Sequence, residues 1–499
     1  MDFEKKNRLR NLKVIVSEAI MVVAVIIMVT ILAFIVSGYW VNADFEVKCQ
    51  GMLQIASVPT GADVAIDGES AWLQRTNTSK VLESGEHTIA LTKEGYDSWT
   101  KTINISEGLL YRISYPRLFL QNRSLEKLFS TAKVTSATVS PDHETMLLIN
   151  STTEWSLVNL MDEKLSPQKL DVAGIFSNTA LEDNTKVGAF TSEIISINWS
   201  LDGSRALFHV HSDGAKEWVI LDFNNPKNSV NLTKQFGANF DNIKIFDRSA
   251  NTLLAVQNNN LHKIDVSGRS ISAILVENIK TFDYHNNEIF FIARAEDYYL
   301  GKLKLGDDKI TQLAPATSTQ KVLVTRFYED KLILSLNNNT LTLYNMDDLA
   351  ERASYELTFA PETMKVGHGG EFVIFSSGQA IATLDMEANL VREWTIEGET
   401  FGWLDNSMLY TAKDGELIVY DYDGLNRRLI AKNVSSHFPV SITDDRYLYY
   451  FSDDLLVREW LIPARKFQIP SKNDGSFDGS SCSSAPSMFG ATISVSAPS

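Results

Sequence analysis

Between residues 122 and 466 one short pattern recurs: a strand, a turn, an apolar strand, a second turn, then a strand ending in Asp or Asn. The last strand of the pattern begins at Trp155, Trp218, Leu261, Leu300, Leu341, Ile381, Leu417 and Leu456. The steps between these positions are 63, 43, 39, 41, 40, 36 and 39 residues. A period of this length, with alternating rather than helical apolar spacing, is the mark of propeller blades, small sheets that bury their faces only against their neighbours. Seven copies are followed by a further strand, for example 390–394 (LVREW) or 427–430 (RRLI), whereas the eighth runs into Pro463. The segment 124–130 (SLEKLFS), just ahead of the first copy, is the natural replacement. Pairing it with the last copy would seal the ring and remove the exposed edges of an open sheet. The expectation is an eight-bladed β-propeller, with seven blades as the alternative. The one long step holds an insertion near 178–187, expected to protrude as a loop.

Ahead of this region, residues 19–36 (AIMVVAVIIMVTILAFIV) carry no charge and one hydroxyl, Thr30. As a helix the run spans ~27 Å, close to the thickness of a bilayer's hydrocarbon core. Lys5, Lys6, Arg8, Arg10 and Lys13 precede it, and Ser37-Gly38-Tyr39-Trp40 follow. The run is longer than the ~7–15 apolar residues of a cleaved signal peptide. Positive charge before it, with only Lys48 soon after it, orients the chain with its N-terminus in the cytoplasm, and the aromatic pair suits the outer interface. The expected order is a basic cytoplasmic segment (1–13), a transmembrane helix (14–37), a small β-domain (51–118), the propeller (122–466) and a Ser/Gly/Pro-rich disordered tail (471–499). Localisation is accordingly expected at the plasma membrane, single-pass, with everything after the helix extracytoplasmic.

The segment 51–118 alternates in short strands punctuated by Pro59-Thr60-Gly61-Ala62 and Asp67-Gly68. Pro presets φ and Gly supplies positive φ at such turns. Alternation in 85–91 (GEHTIAL) places Ile89 and Leu91 on one face, and Tyr96 and Trp99 are expected to form an aromatic core. The pattern P-x-G-A-x-V-x-I-D-G, then L-x-x-G-x-H-x-I-x-L and G-Y-x-x-W, resembles the PEGA domain family over residues 58–108. The family's glutamate is Thr60 here, at a turn position expected to be exposed. The resemblance implies a spacer or adhesive module of exported prokaryotic proteins and supplies no catalytic residue. The turns Ser140-Pro141-Asp142-His143 and Trp199-Ser200-Leu201-Asp202-Gly203 resemble the W-S-P-D-G turn of TolB-like and WD40-like propellers. A type I′ geometry, with positive φ at both central residues, is expected there. The whole order of segments resembles a family of membrane-anchored bacterial proteins, which supports the architecture and supplies no mechanism.

Chemistry-bearing motifs are few. There is no G-x-S-x-G elbow. Gly367-His368-Gly369-Gly370 has the look of a lipase oxyanion segment but falls where a turn between blades is due. His209 and His211 share a strand face without a third ligand at suitable spacing. Asp421-Tyr422-Asp423-Gly424 begins like a calcium loop, yet Leu425-Asn426-Arg427-Arg428 replaces the oxygen ligands, so a hairpin turn is expected. His87 reads as an ordinary strand-face residue. The acid pairs Asp307-Asp308, Asp347-Asp348, Asp444-Asp445 and Asp453-Asp454 fall at strand ends, and spacing alone does not show whether any converge. Catalytic, cofactor and metal sites are therefore all expected to be none, and no cofactor is expected.

The chain's net charge is −16, and the first thirteen residues contribute +3 of it, so the remainder is more acidic still. That balance argues against nucleic acid as a partner. Cys49 and Cys482 lie near opposite ends and make neither a disulfide framework nor a metal spacing. The function expected is a non-enzymatic binding or scaffold protein whose propeller loops meet an envelope protein or glycan. The alternatives are a hydrolase of envelope polysaccharide or peptide that uses the channel, and a structural subunit of an envelope assembly.

Overall fold

The computed structural model describes residues 18–30, 32, 39–41, 47–151, 154–172, 174–176, 193–212, 215–307, 309–327, 330–367, 369–398 and 400–463. Within the expected transmembrane segment, residues 18–30 and 32 are helical. No helix among the described residues is long and apolar enough to cross a membrane. The basic segment 1–13, the loop 178–187 and the tail 471–499 lie outside the described residues.

From residue 125 to residue 460 the described residues are almost wholly strands and the turns between them. Eight antiparallel four-stranded sheets follow one another along the sequence. Blade 1 covers 136–170, blade 2 193–231, blade 3 242–271 and blade 4 279–315. Blade 5 covers 321–356, blade 6 363–395, blade 7 401–432, and blade 8 takes three strands from 441–460. Its fourth strand is Leu125–Ser130, which pairs Glu459 with Leu125 and Leu455 with Ser130. The expected closure is therefore the one observed.

Apolar clusters fill the spaces between successive blades. One joins Leu147 and Phe208 of blades 1 and 2, another Leu207 and Leu253 of blades 2 and 3, and so on round the ring. The last joins Tyr449, Phe451 and Leu456 of blade 8 to Met146, Leu148 and Val158 of blade 1. Each second strand is buried on both faces, as in Phe372–Ser377 and Tyr447–Ser452, which explains its continuous apolar run. Sheet packed on sheet around a full circle is a propeller of eight blades.

The two turns of the S-x-D type superpose in chemistry but differ from the geometry expected. Ser140 Oγ donates to Asp142 Oδ1, which also accepts from Glu144 N at 3.0 Å. Ser200 Oγ donates to Asp202 Oδ1 at 2.7 Å, which accepts from Ser204 N at 3.0 Å. Bonds from His143 N to Ser140 O and from Gly203 N to Ser200 O close the turns, and positive φ occurs only at the residue after the acid, His143 (59°) and Gly203 (66°). The acid stays in ordinary backbone space because its carboxylate, not a type I′ twist, ties the turn together.

The small domain is a sandwich of two sheets. One orders Glu69–Arg75, Asp63–Ile66, Gly85–Thr92 and Trp99–Ile105. The other is built on Val47–Ile55, which pairs antiparallel with Thr78–Glu83 and Tyr39–Val41 and parallel with Leu110–Ile113. That central strand begins ahead of the expected boundary at residue 51. Tyr96 and Trp99 lie in the core as anticipated, and Thr60 is exposed.

Candidate functional site

Within each blade the first-to-second and third-to-fourth connections emerge on one rim of the ring. The second-to-third connections, and the links to the next blade, emerge on the other. Every contact of the small domain described here falls on the first rim, over blades 6, 7 and 8.

The joint starts from the strand Trp99–Ile105, whose alternation buries Trp99, Lys101, Ile103 and Ile105 on one face. Three of these are apolar and one is a lysine. Lys101 Nζ lies 2.7 Å from Asp423 Oδ2, and the two side chains are 4% and 1% exposed. The ammonium donates to the Tyr115 hydroxyl at 2.7 Å and to that of Tyr422 at 3.2 Å. It also sits over both rings, 4.9 Å and 4.4 Å from their centroids. Tyr422 donates in turn to Asp385 Oδ2 at 2.7 Å and stacks on Phe372 at 3.9 Å. Burial first, then a neighbouring tyrosine and acids, holds the Tyr115 and Tyr422 hydroxyls well above the usual tyrosine range, so both stay protonated.

Trp99 Nε1 donates to Asp421 Oδ2 at 2.7 Å, and Asn426 Nδ2 donates to the same oxygen at 2.8 Å. Burial raises the Asp421 carboxyl to about 6 despite these bonds. Arg117 lies between Asp405 (2.9 Å) and Asp445 (2.5 Å), and Arg428 donates to the carbonyls of Arg117 and Ser98. The apolar core of the small domain thus takes in Phe372 and Tyr422 of the ring, and the two parts share one hydrophobic cluster.

Beside the joint a cavity of about 500 Å³ opens between the small domain and blades 1, 6, 7 and 8. Arg117, Asp142, His143, Glu371, Asp405 and Asp445 face it. Of the acid pairs, only Asp444-Asp445 reaches this cavity; Asp347-Asp348 and Asp453-Asp454 are exposed turns elsewhere, and Asp308 lies outside the described residues. Asp142, Asp405 and Asp445 are engaged. Asp405 Oδ1 accepts from Ser407 N and Met408 N, and its other oxygen accepts from Arg117. His143 Nδ1 lies 2.8 Å from Ser441 Oγ. Burial, reinforced by Asp385 and Glu387, raises the Glu371 carboxyl to about 8.

The other sequence candidates are dispersed. His209 stacks face to face on Trp218 at 4.0 Å, and burial lowers its pKa. Among the described residues no group of three His, Cys, Asp or Glu side chains stands where it could hold a metal. Gly367, Gly369 and Gly370 lie in the first-to-second turn inside blade 6 rather than in a link between blades, and His368 lies outside the described residues. The 421–424 segment is the expected turn, but its acids serve the joint. His87 bonds Asp67 at 2.7 Å and the Glu83 carbonyl at 2.8 Å. The signal that points to Lys101 is its phase: a lysine on the buried side of W-T-K-T-I-N-I requires a buried acid.

A β-sandwich clasped to an eight-bladed ring is the class of molecule that this fold and joint define. Residues 50–117 match the family model of the PEGA domain. No curated protein matches the chain. Among solved structures, the C-terminal WD40 domain of Sif2 is similar at 14% identity and a TM-score of 0.44, over 68% of this chain and 99% of that one. Kluyveromyces lactis Hsv2 gives 10% identity and 0.39 over 60% and 98%, and an oligogalacturonate lyase in complex with manganese gives 15% and 0.37 over 53% and 88%. Likeness this distant transfers no ligand or activity to the present chain.

Proposed function

We propose that this chain is a membrane-anchored, extracytoplasmic, non-enzymatic binding or scaffold protein of the cell envelope. Residues 14–37 hold it in the membrane, the small domain sets the distance, and the ring presents its free rim to an envelope protein or glycan. One observation carries the reading: the small domain occupies one rim through a buried joint, and among the described residues it makes no contact with the opposite rim. Leu170 and Glu193, which bound the connection between blades 1 and 2, stand at that rim. The anchor is supported by side chains such as Ile20 (64% exposed), Met21 (62%) and Ile26 (59%), which present apolar surface without protein cover. The acidic charge speaks against nucleic acid, and the bonds that tie Asp405 and Asp445 to Arg117 in the cavity beside the joint favour binding over turnover.

The test is site-specific photo-crosslinking of the full chain in its own membranes. A crosslinker at Asn338 or Asp453, both exposed second-to-third turns, should capture a discrete partner. One at Asp347, on the joint-side rim, should not. Capture from Asp347 alone, or from none of the three, refutes the presentation of the free rim.

A further inference from the structure

We propose that the outer face of the small domain's Val47–Ile55 sheet rests on the lipid bilayer, at the boundary between headgroups and acyl chains. The inference depends on the reading of 14–37 as an anchor. Leu53, Ile55, Leu82 and Ile113 point into the sandwich and are buried. Period-two alternation therefore turns Met52 outward. The register sets Val81 opposite it on one neighbouring strand and Leu110 on the other. These three are 44%, 51% and 42% exposed, and the adjacent Leu109 is 63% exposed. The result is a continuous apolar row across three strands. The rows on either side are polar, with Gln54, Ser79 and Arg112 on one and Gln50 and Glu83 on the other. A narrow apolar band between polar rows suits shallow insertion, not burial in a core.

The position of the row selects the bilayer as its occupant. Tyr39–Val41 pairs with the start of the same strand, Tyr39 opposite Cys49. Met52 stands three residues further on, ~10 Å at the rise of a strand. Tyr39 itself follows the apolar run 19–36 after only Ser37 and Gly38. A chain that leaves the membrane at Tyr39 has little length in which to lift this face away from it.

The full chain, with Cys49→Ser and Cys482→Ser, would be reconstituted in phosphatidylcholine–phosphatidylglycerol vesicles. A single fluorescent label is placed at Val81→Cys, or at Thr102→Cys on the exposed face of the other sheet as control. Headgroup nitroxide lipid should quench the label at 81 about threefold more than that at 102, as expected for a residue at the headgroup boundary. Equal quenching overturns the proposal. So does energy transfer between labels at 81 on separate copies without lipid quenching, which would assign the row to a second copy. Alkaline extraction of the same vesicles scores the anchor separately. A chain that is released refutes the anchor and the docking together, whereas a retained chain with a water-exposed position 81 refutes the docking alone.

Discussion

Lys101 shows what a single residue contributes to the joint. Its ammonium is desolvated, and Asp423, two tyrosine hydroxyls and two aromatic faces replace the lost water. Removing one member of such a pair costs far more than the pair contributes, because the survivor stays buried and charged. Lys101→Ala should therefore destabilise the chain by about 3–5 kcal/mol. Adding Asp423→Asn to the same chain should recover part of that loss. Chemical denaturation of the single and double variants checks both statements. The alternation of 99–105 was open to reading in the sequence, whereas the partner was not. Asp423 lies 322 residues away on a turn of blade 7, and no local pattern links the two.

At the scale of the element, the blades were legible because each must repeat the same burial. The closing strand was legible because the eighth copy lacked a fourth strand. The twist of the S-x-D turns was not, because Asp-Gly suits several turn types and the carboxylate's bonds decide among them. Arg458 locks the closure. Its side chain is 4% exposed, pairs with Glu126 at 2.7 Å, and donates to the carbonyls of Asp162 and Glu163 in blade 1. Glu126→Lys sets a like charge against it and should cost about 1–3 kcal/mol. Amide exchange in Leu455–Trp460 should accelerate before that of any other blade, as the freed edge opens. Uniform acceleration around the ring would contradict the assignment of Leu125–Ser130 as the weakest seam.

For the molecule as a whole, a half-buried and a buried carboxyl give the joint a pH dependence. Burial, then Asp385 and Glu387, raises Glu371 to about 8, and burial raises Asp421 to about 6. A carboxyl with a folded pKa above its unfolded value binds its proton more tightly in the native state. Its contribution is complete below the ordinary carboxylate range and disappears as pH rises through the raised value. Thermal stability of the full chain should thus decline from mildly acidic pH to pH 8, and Glu371→Gln should flatten the part of the decline nearest 8. A wild-type profile that rises over the same interval would refute the assignment. None of this was visible in the sequence, because Glu371, Asp385 and Glu387 converge only when two turns of blade 6 meet under Arg112 and Lys101.

The ring also has a mechanical direction. Its chain enters at Leu125 and leaves beyond Trp460, and these residues lie at the same end of two paired strands. Tension applied between the N-terminal side and the C-terminal side would peel that pair apart one hydrogen bond at a time, since the load does not spread along the ladder. Arg123 stands at the mouth of the seam, bonded to Glu459 at 2.6 Å and to the carbonyls of Leu120 and Ile430. It acts as a latch, and the force needed to start unzipping the propeller is set there before any blade is strained.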